Sequence, residues 1–494
     1  MHNSVTRRTM LKFALGGAGT AALGVLAACT SAQPASPTAP AAAPTVAPAA
    51  KPTTAPAAAP TTAPTAVAVA TSAPAAASSG GAAVKLVNVE HDSRPLDNAA
   101  YQAVYKAFQG QNPEISIDFQ IIPWEQARPK MLTLSQGDSL PDMGRMSWPD
   151  DYAAAQMVLP LDGMVDKSTL ARFDPTIIDQ ASAQGSDGQK HLYGLPWFAG
   201  DAAILVNKTL FDKAGLTLKD SWTTDEFTEY AKTLTQSGQQ WGVALDVAGI
   251  GDPVQNLLLA AYAYGGKWVK GDTNSTDPEP LVFNSAETVQ GITWYANLYK
   301  SGFAVPSAPT DTYKERDANF QSGKAAMEWQ GPWSLVEIQD NFKKGGYEVA
   351  SMPLPKGPAG SINWYGGASA GIYVAAQKHK VTDQAYKWIS FLSSDEGQKL
   401  YCKTNGMIPA SKNAQQDPFW SQNNLYKGYL NSFGNTPRMT PIWATGINAI
   451  LDDAVPPLFQ GVLTGKLSEA DMAKQVQDQV IQGLSKNGVE VPKG

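Results

Sequence analysis

One short run has the spacing of an enzyme. Gly367-Ala-Ser-Ala-Gly371 matches G-x-S-x-G, the pattern that presents a nucleophilic serine on a sharp turn in hydrolases. That chemistry needs a strand before the serine, a helix after it, and an acid and a histidine later in the chain. Here Ile372-Tyr-Val-Ala-Ala376 reads as a strand, and the only later histidine is His379, expected at the far end of it. The glycines suit a backbone that approaches another group closely, so Ser369 is expected not to be catalytic. The four histidines, His2, His91, His191 and His379, show no H-x-x-x-H spacing, and there is no C-x-x-C. No metal site is expected. No P-loop and no G-x-G-x-x-G after a strand are present, so no cofactor is expected.

The remaining residues with chemical use are aromatic. The chain has 13 tryptophans, and many stand beside turns. Examples are Ile122-Pro-Trp-Glu125, Met146-Ser-Trp-Pro-Asp150, Gly194-Leu-Pro-Trp-Phe198, Glu328-Trp-Gln-Gly-Pro-Trp333, Asn363-Trp-Tyr365 and Pro441-Ile-Trp443. A ring at a cleft edge offers flat apolar area that suits a sugar face. Neighbouring carboxylates and amides accept or donate to hydroxyls. Core packing is the alternative for any single ring; the set carries the argument.

Such rings need a scaffold. Val84-Lys-Leu-Val-Asn-Val89 reads as a strand. Leu96, Ala100, Val104 and Phe108, four apart, predict a helix with one apolar face, which Gln111-Asn-Pro-Glu-Ile115 breaks. Ile115-Ser-Ile-Asp-Phe119 alternates as a second strand. This β-α-β pattern recurs, which predicts an α/β fold with largely parallel sheets. From about Trp443 to Leu484 the pattern is helical, with Leu467, Met472, Val476 and Val480 at helical spacing and an interruption expected at Pro456-Pro457. The formal net charge is −6, although the first 83 residues hold four bases and no acid. An acidic folded part argues against nucleic acid as a partner.

The N-terminus reads as an address. Thr6-Arg-Arg-Thr-Met-Leu-Lys12 is a twin-arginine pattern before a weakly apolar run from Phe13 to Ala28. Leu26-Ala-Ala-Cys29 resembles a bacterial lipobox, in which the cysteine is lipidated. Residues 1–28 are therefore expected to be a twin-arginine lipoprotein signal peptide and Cys29 the lipidated first mature residue. That leaves Cys402 alone, with no intramolecular disulfide expected. Residues 29–83 are read as a disordered tether, almost wholly Ala, Pro, Thr and Ser, with proline every fourth residue from Pro40 to Pro64.

From Val84 onward the chain resembles the extracellular solute-binding proteins of ABC importers, family 1, the carbohydrate-binding type that includes maltose-binding protein. The resemblance rests on the joint order of several motifs. They are Leu134-Ser-Gln-Gly-Asp-Ser-Leu-Pro-Asp142, Val158-Leu-Pro-Leu-Asp162, Tyr193-Gly-Leu-Pro-Trp197, the run Leu205–Gly215, Trp222-Thr-Thr-Asp-Glu-Phe227, Phe320-Gln-Ser-Gly-Lys-Ala-Ala-Met327, Gly331-Pro-Trp333, Met352-Pro-Leu-Pro355 and Met407-Ile-Pro-Ala-Ser411. It implies a two-lobed, type II periplasmic-binding-protein-like fold with a ligand cleft between the lobes. Three crossings between lobes are implied, near Trp197–Ala202, Asn363–Gly367 and Met407–Ser411. The first lobe would comprise residues 84–201 plus 365–408, and the second 202–364 plus 409–494.

The resemblance also implies site residues. Trp333 would stack on sugar, and Trp443 would supply a late ring. His91 and Asp92 would lie in the loop after the first strand, Trp124 and Glu125 would follow the second, and Trp148 and Asp150 would follow Pro141-Asp142. Asp201 and Trp197 would lie at the first crossing, Trp364 and Gly367 at the second. The implied function is capture of a carbohydrate outside the cell and delivery to an ABC permease, by a monomer held to the outer face of the membrane by its lipid alone. A non-sugar solute, a glycerol phosphate ester or peptide, is the alternative ligand. For an anion, Arg145 and Arg438 are the available cations. A surface glycosidase or lyase needs two carboxylates facing one bond, and no hydrolase pattern accompanies the acids. An adhesin without a small ligand is the remaining alternative.

Overall fold

The structure is a computed structural model that describes residues 83–91, 95–364, 367–432 and 437–493. Cys29, the signal, the tether and Asp92 lie outside the described residues. Strand β1 (Val84–Glu90) pairs in parallel with β2 (Ile115–Ile121) across helix α1 (Pro95–Gln111), the β-α-β start that the sequence predicts. Ala100, Val104 and Phe108 are buried in one cluster with Leu86, whereas Leu96, in the first turn of the helix, is 39 % exposed. Helix α2 (Trp124–Gln136) leads to β3 (Met143–Met146), and the short α3 (Pro149–Ala154) follows at once.

After a small hairpin of β4 (Ser182–Gln184) and β5 (Lys190–Leu192), β6 (Leu195–Ala199) joins the first sheet. The chain then passes to a second sheet, made of β7 (Ala203–Asn207), β8 (Trp241–Ala244), β9 (Ala325–Gln330) and β10 (Val349–Met352), in the order β10-β7-β9-β8. It returns to the first sheet through β11 (Ala368–Ile372) and β12 (Ile408–Pro409), completing the order β12-β6-β11-β3-β1-β2. Two large buried clusters hold the sheets, one around Leu86, Phe108 and Trp388 that also takes in Ala203 and Leu205 of β7, and one around Trp222, Phe227 and Leu257. This is an α/β fold of two lobes.

The sheets are mixed rather than largely parallel. β11 runs antiparallel to both β3 and β6. The direction follows from the route of the chain. β6 runs toward the second lobe and β11 comes back from it, so β11 must oppose its neighbours. Asn363 ties these two passages together. Its side-chain oxygen accepts from the backbone N–H of Ala202 at 3.0 Å and of Trp364 at 2.9 Å. Its amide donates to the Ala202 carbonyl at 2.6 Å and to Asp201 Oδ2 at 3.3 Å.

The second lobe is filled by α4 (Asp252–Ala263), α5 (Ala286–Lys300) and α6 (Tyr313–Gln321). Two late helices, α7 (Ile447–Leu463) and α8 (Glu469–Lys486), pack on α4 and α5. α7 continues through Pro456 and Pro457, where the sequence reading expected a break. Two prolines remove two N–H donors from the helix. Burial of Leu451, Val455, Phe459 and Val462 on the same helix offsets that loss. Leu467 stands in the turn before α8, while Met472, Val476 and Val480 form its buried face.

Candidate functional site

Between the two sheets lies a cleft of about 560 Å³, within the range of small-molecule sites. The carboxyl ends of β3 and β6 point at it, as ligand sites in open α/β sheets require. Its first-lobe wall is set by short local rules. Pro123 precedes α2, so Trp124 is the first helical residue and its ring stands at the helix end. β3 ends at Met146, and Pro149 starts α3 at once, which leaves Ser147 and Trp148 in a tight turn at the cleft. Trp124 and Trp148 lie 4.9 Å apart, tilted by 35°, and His91 stacks on Trp148 at 5.5 Å. The Arg128 guanidinium lies over Trp148 at 4.8 Å, and Arg145 over Trp124 at 5.4 Å.

The second-lobe wall carries Trp333 and Trp364, 5.7 Å apart and tilted by 39°. The Gly331-Pro-Trp333 run has a steric cause. The Trp333 indole folds back over Gly331, where any β-carbon would collide with the ring. Tyr313, Asp252, Gln255, Asn448 and Asp452 complete that wall.

Charged pairs bridge the cleft. Arg128 on α2 reaches Asp452 on α7 at 3.1 Å and Asp151 at 3.1 Å. Arg438 Nη1 donates to both Asp150 carboxylate oxygens, at 2.9 and 3.1 Å, and its Nη2 donates to the carbonyls of Asp179 and Ser182. Lys314 pairs with Glu125 at 3.2 Å, and Tyr313 donates to the same carboxylate at 3.3 Å. Burial raises the Asp151 carboxyl to about 6 against the pull of Arg128, and it raises Asp252 to about 6 against Arg316. Behind the wall, burial raises Glu90 to about 8, although Tyr101 and Asn88 donate to it. His91 is held well below the ordinary histidine value by burial and then by the charge of Arg145.

Of the residues the resemblance implies, Trp124, Glu125, Trp148, Asp150, Trp333, Trp364 and Gly367 come together as cleft lining. Four described ones do not line it. His91 is fully buried behind Trp148, with Nδ1 3.3 Å from Ser147 Oγ. Trp197 is enclosed in the first-lobe core, where Tyr101 and Tyr401 face it. β6, which carries it, has partners on both sides and burial along its whole length. Asp201 is fully buried at the Asn363 tie, and burial holds its carboxyl well above the usual range. Trp443 packs in the second-lobe core with Ile447 and Leu451. Arg145 and Arg438, named above for an anion, both line the cleft. Arg128, Tyr313, Asp252, Gln255, Asn448 and Asp452 were not anticipated; each comes from a helix end or helix flank whose sequence signals only an amphipathic surface.

Ser369 also lines the cleft, but not on an elbow. The strand runs from Ala368 to Ile372 and includes the serine; the helix starts only at Ala375. The strand thus lies four residues earlier than the expected Ile372–Ala376. Ser369 pairs with Met146, at the opposite end of the β11–β3 ladder from Ile372 and Met143. His379 is bound to Asp142, just beyond that far end, with Nδ1 2.7 Å from Oδ1. Three residues of strand, about 10 Å, separate the two ends, so His379 cannot serve as base for Ser369. Gly371 answers to packing: a β-carbon there would strike the Met146 methyl.

A family model described as bacterial extracellular solute-binding protein matches residues 92–399. A maltotriose-binding protein of Pyrococcus abyssi is 24% identical over 385 residues, which cover 74% of this chain and 77% of that protein. A binding protein of Brucella abortus is 24% identical over 350 residues, 70% of this chain and 81% of its own length. The crystal structure of the GacH receptor of Streptomyces glaucescens, solved unliganded and in complex with acarbose, superposes with a TM-score of 0.69 at 23% identity. That match covers 81% of this chain and 98% of the receptor.

Proposed function

The chain belongs to the bacterial extracellular solute-binding protein family, and we propose that it captures a carbohydrate outside the cell and hands it to the transmembrane subunits of an ABC importer. It is a binding protein and not an enzyme, as its family is. The observation that carries the carbohydrate reading is the cleft itself. Four indoles, Trp124 and Trp148 on one wall and Trp333 and Trp364 on the other, face a volume sized for a small oligosaccharide. Carboxylates and amides interleave with them, which is what a ligand with apolar ring faces and a hydroxyl rim requires. The relatives named for maltotriose and acarbose point the same way.

On this proposal the lobes, residues 84–201 plus 365–408 and residues 202–364 plus 409–494, move about the passages that Asn363 ties. A ligand that touches both walls favours the closed arrangement, and the permease recognises that arrangement. Among the described residues no helix is long and apolar enough to cross a membrane. The proposed attachment is lipid on Cys29, with residues 30–83 as a tether and export through the twin-arginine signal.

A thermal-shift screen of the purified protein against mono- and oligosaccharides tests the proposal. A ligand that binds only the folded state raises the melting temperature, and the stabilisation grows with the logarithm of one plus the ratio of free ligand to Kd. At least one carbohydrate should do so. A panel in which peptides shift the protein and no sugar does would overturn the reading.

A further inference from the structure

Among the described residues Arg145 has no counter-charge at ion-pair distance. It is 7 % exposed and lines the cleft. Its guanidinium lies 5.4 Å over Trp124 and 5.2 Å over Phe198, and its Nε has no hydrogen-bond partner. Every other charge on the cleft wall is matched: Arg128 by Asp452, Lys314 by Glu125, Arg438 by Asp150, and Asp252 by Arg316. Among the described residues no carboxylate lies at ion-pair distance from Arg145. A desolvated guanidinium without a counter-ion is costly, and ring faces recover only part of that cost. The fork of a guanidinium matches the two oxygens of a carboxylate or phosphate.

We propose that the ligand itself supplies the missing charge: the carbohydrate bound in this cleft carries an anionic oxyacid group that pairs with Arg145. The ligand class is then an acidic sugar, a uronate or a sugar phosphate. Its ring lies among the indoles and its acid lies against the guanidinium. The inference rests on the carbohydrate reading given above and deepens it. Two neighbours support it. The Glu90 carboxyl is buried and pushed up to about 8, so it offers Arg145 little negative charge at neutral pH. His91, also buried, is held uncharged and adds no second cation.

The test is calorimetric titration with matched pairs: galacturonate against galactose, glucuronate against glucuronamide, and glucose 6-phosphate against glucose, with maltotriose as a neutral oligosaccharide. We expect at least one acid to bind about 10- to 100-fold more tightly than its neutral partner, the range of a charge-assisted hydrogen-bond pair. The carboxylate and phosphate arms tell which acid it is. Arg145→Met should abolish that gap, Arg145→Lys should retain part of it, and added salt should narrow it. If Arg145→Met does not fold, the acid-to-neutral ratio of the unaltered protein and its salt dependence decide alone. Neutral sugars that bind as well as their acids, equally in Arg145→Met, would overturn the inference and leave the carbohydrate reading standing. Binding of inorganic phosphate or an acidic peptide through Arg145, with no sugar bound, would instead overturn the carbohydrate reading.

Discussion

Replacing Trp333 by alanine separates ligand capture from folding. The indole is half-buried, lies over Gly331 and stands 5.7 Å from Trp364. It touches the edges of both lobe cores without belonging to either. A sugar ring stacked on it would remove on the order of 100 Å² of apolar surface from water, worth about 2–3 kcal/mol. Loss of the ring should therefore weaken the carbohydrate found by the screen by roughly 30- to 150-fold. The ligand-free protein should lose much less than the roughly 3–5 kcal/mol typical of a fully buried tryptophan. Titration calorimetry gives the first quantity and melting of the ligand-free variant the second. An unchanged affinity together with a large loss of apo stability would show that the ring holds the lobes' cores together, and the reasoning would fail.

Three further outcomes follow from the geometry. Glu90 ionises near pH 4.5 in the unfolded chain and near 8 in the fold, so its ionisation favours unfolding increasingly across that window. Glu90→Gln should match the wild type below about pH 4.5 and become more stable by up to about 4–5 kcal/mol by pH 8; a pH-independent difference in melting curves would contradict this. Ser369→Ala should leave no hydrolysis to lose, and serine-directed phosphonates should not label the protein; stoichiometric labelling at Ser369, read by mass spectrometry, would restore the enzyme reading. Cys29→Ala should move the protein from the membrane to the soluble fraction of a bacterium with the lipidation machinery; a wild type that is already soluble and begins elsewhere would refute the anchor.

The two-lobed α/β fold was legible because the chain repeats local signals: strands of alternating residues, helices with one apolar face, and a joint series of motifs. Strand direction was not legible. Nothing within Ala368–Ile372 shows that the chain arrives from the other lobe, and that arrival alone makes β11 antiparallel to its neighbours. The tryptophans divide for a similar reason. Trp148 and Trp197 both sit beside proline in short turn-like runs, yet one lines the cleft and the other is sealed in the first-lobe core on β6. The sequence marks the turn, but which rings remain uncovered depends on what the second lobe packs against. The charged bridges were hidden by distance: Arg128 and Asp452 are 324 residues apart. Pro456 and Pro457 show tertiary burial outweighing a strong local breaker.

The most direct measurement is a crystal structure of the protein with the carbohydrate that gives the largest thermal shift. The sugar should lie between the lobes, with a ring against the Trp333 indole and polar contacts from both walls, including Trp124 or Trp148 on the first. A sugar bound to one lobe only, or outside this cleft, would contradict it.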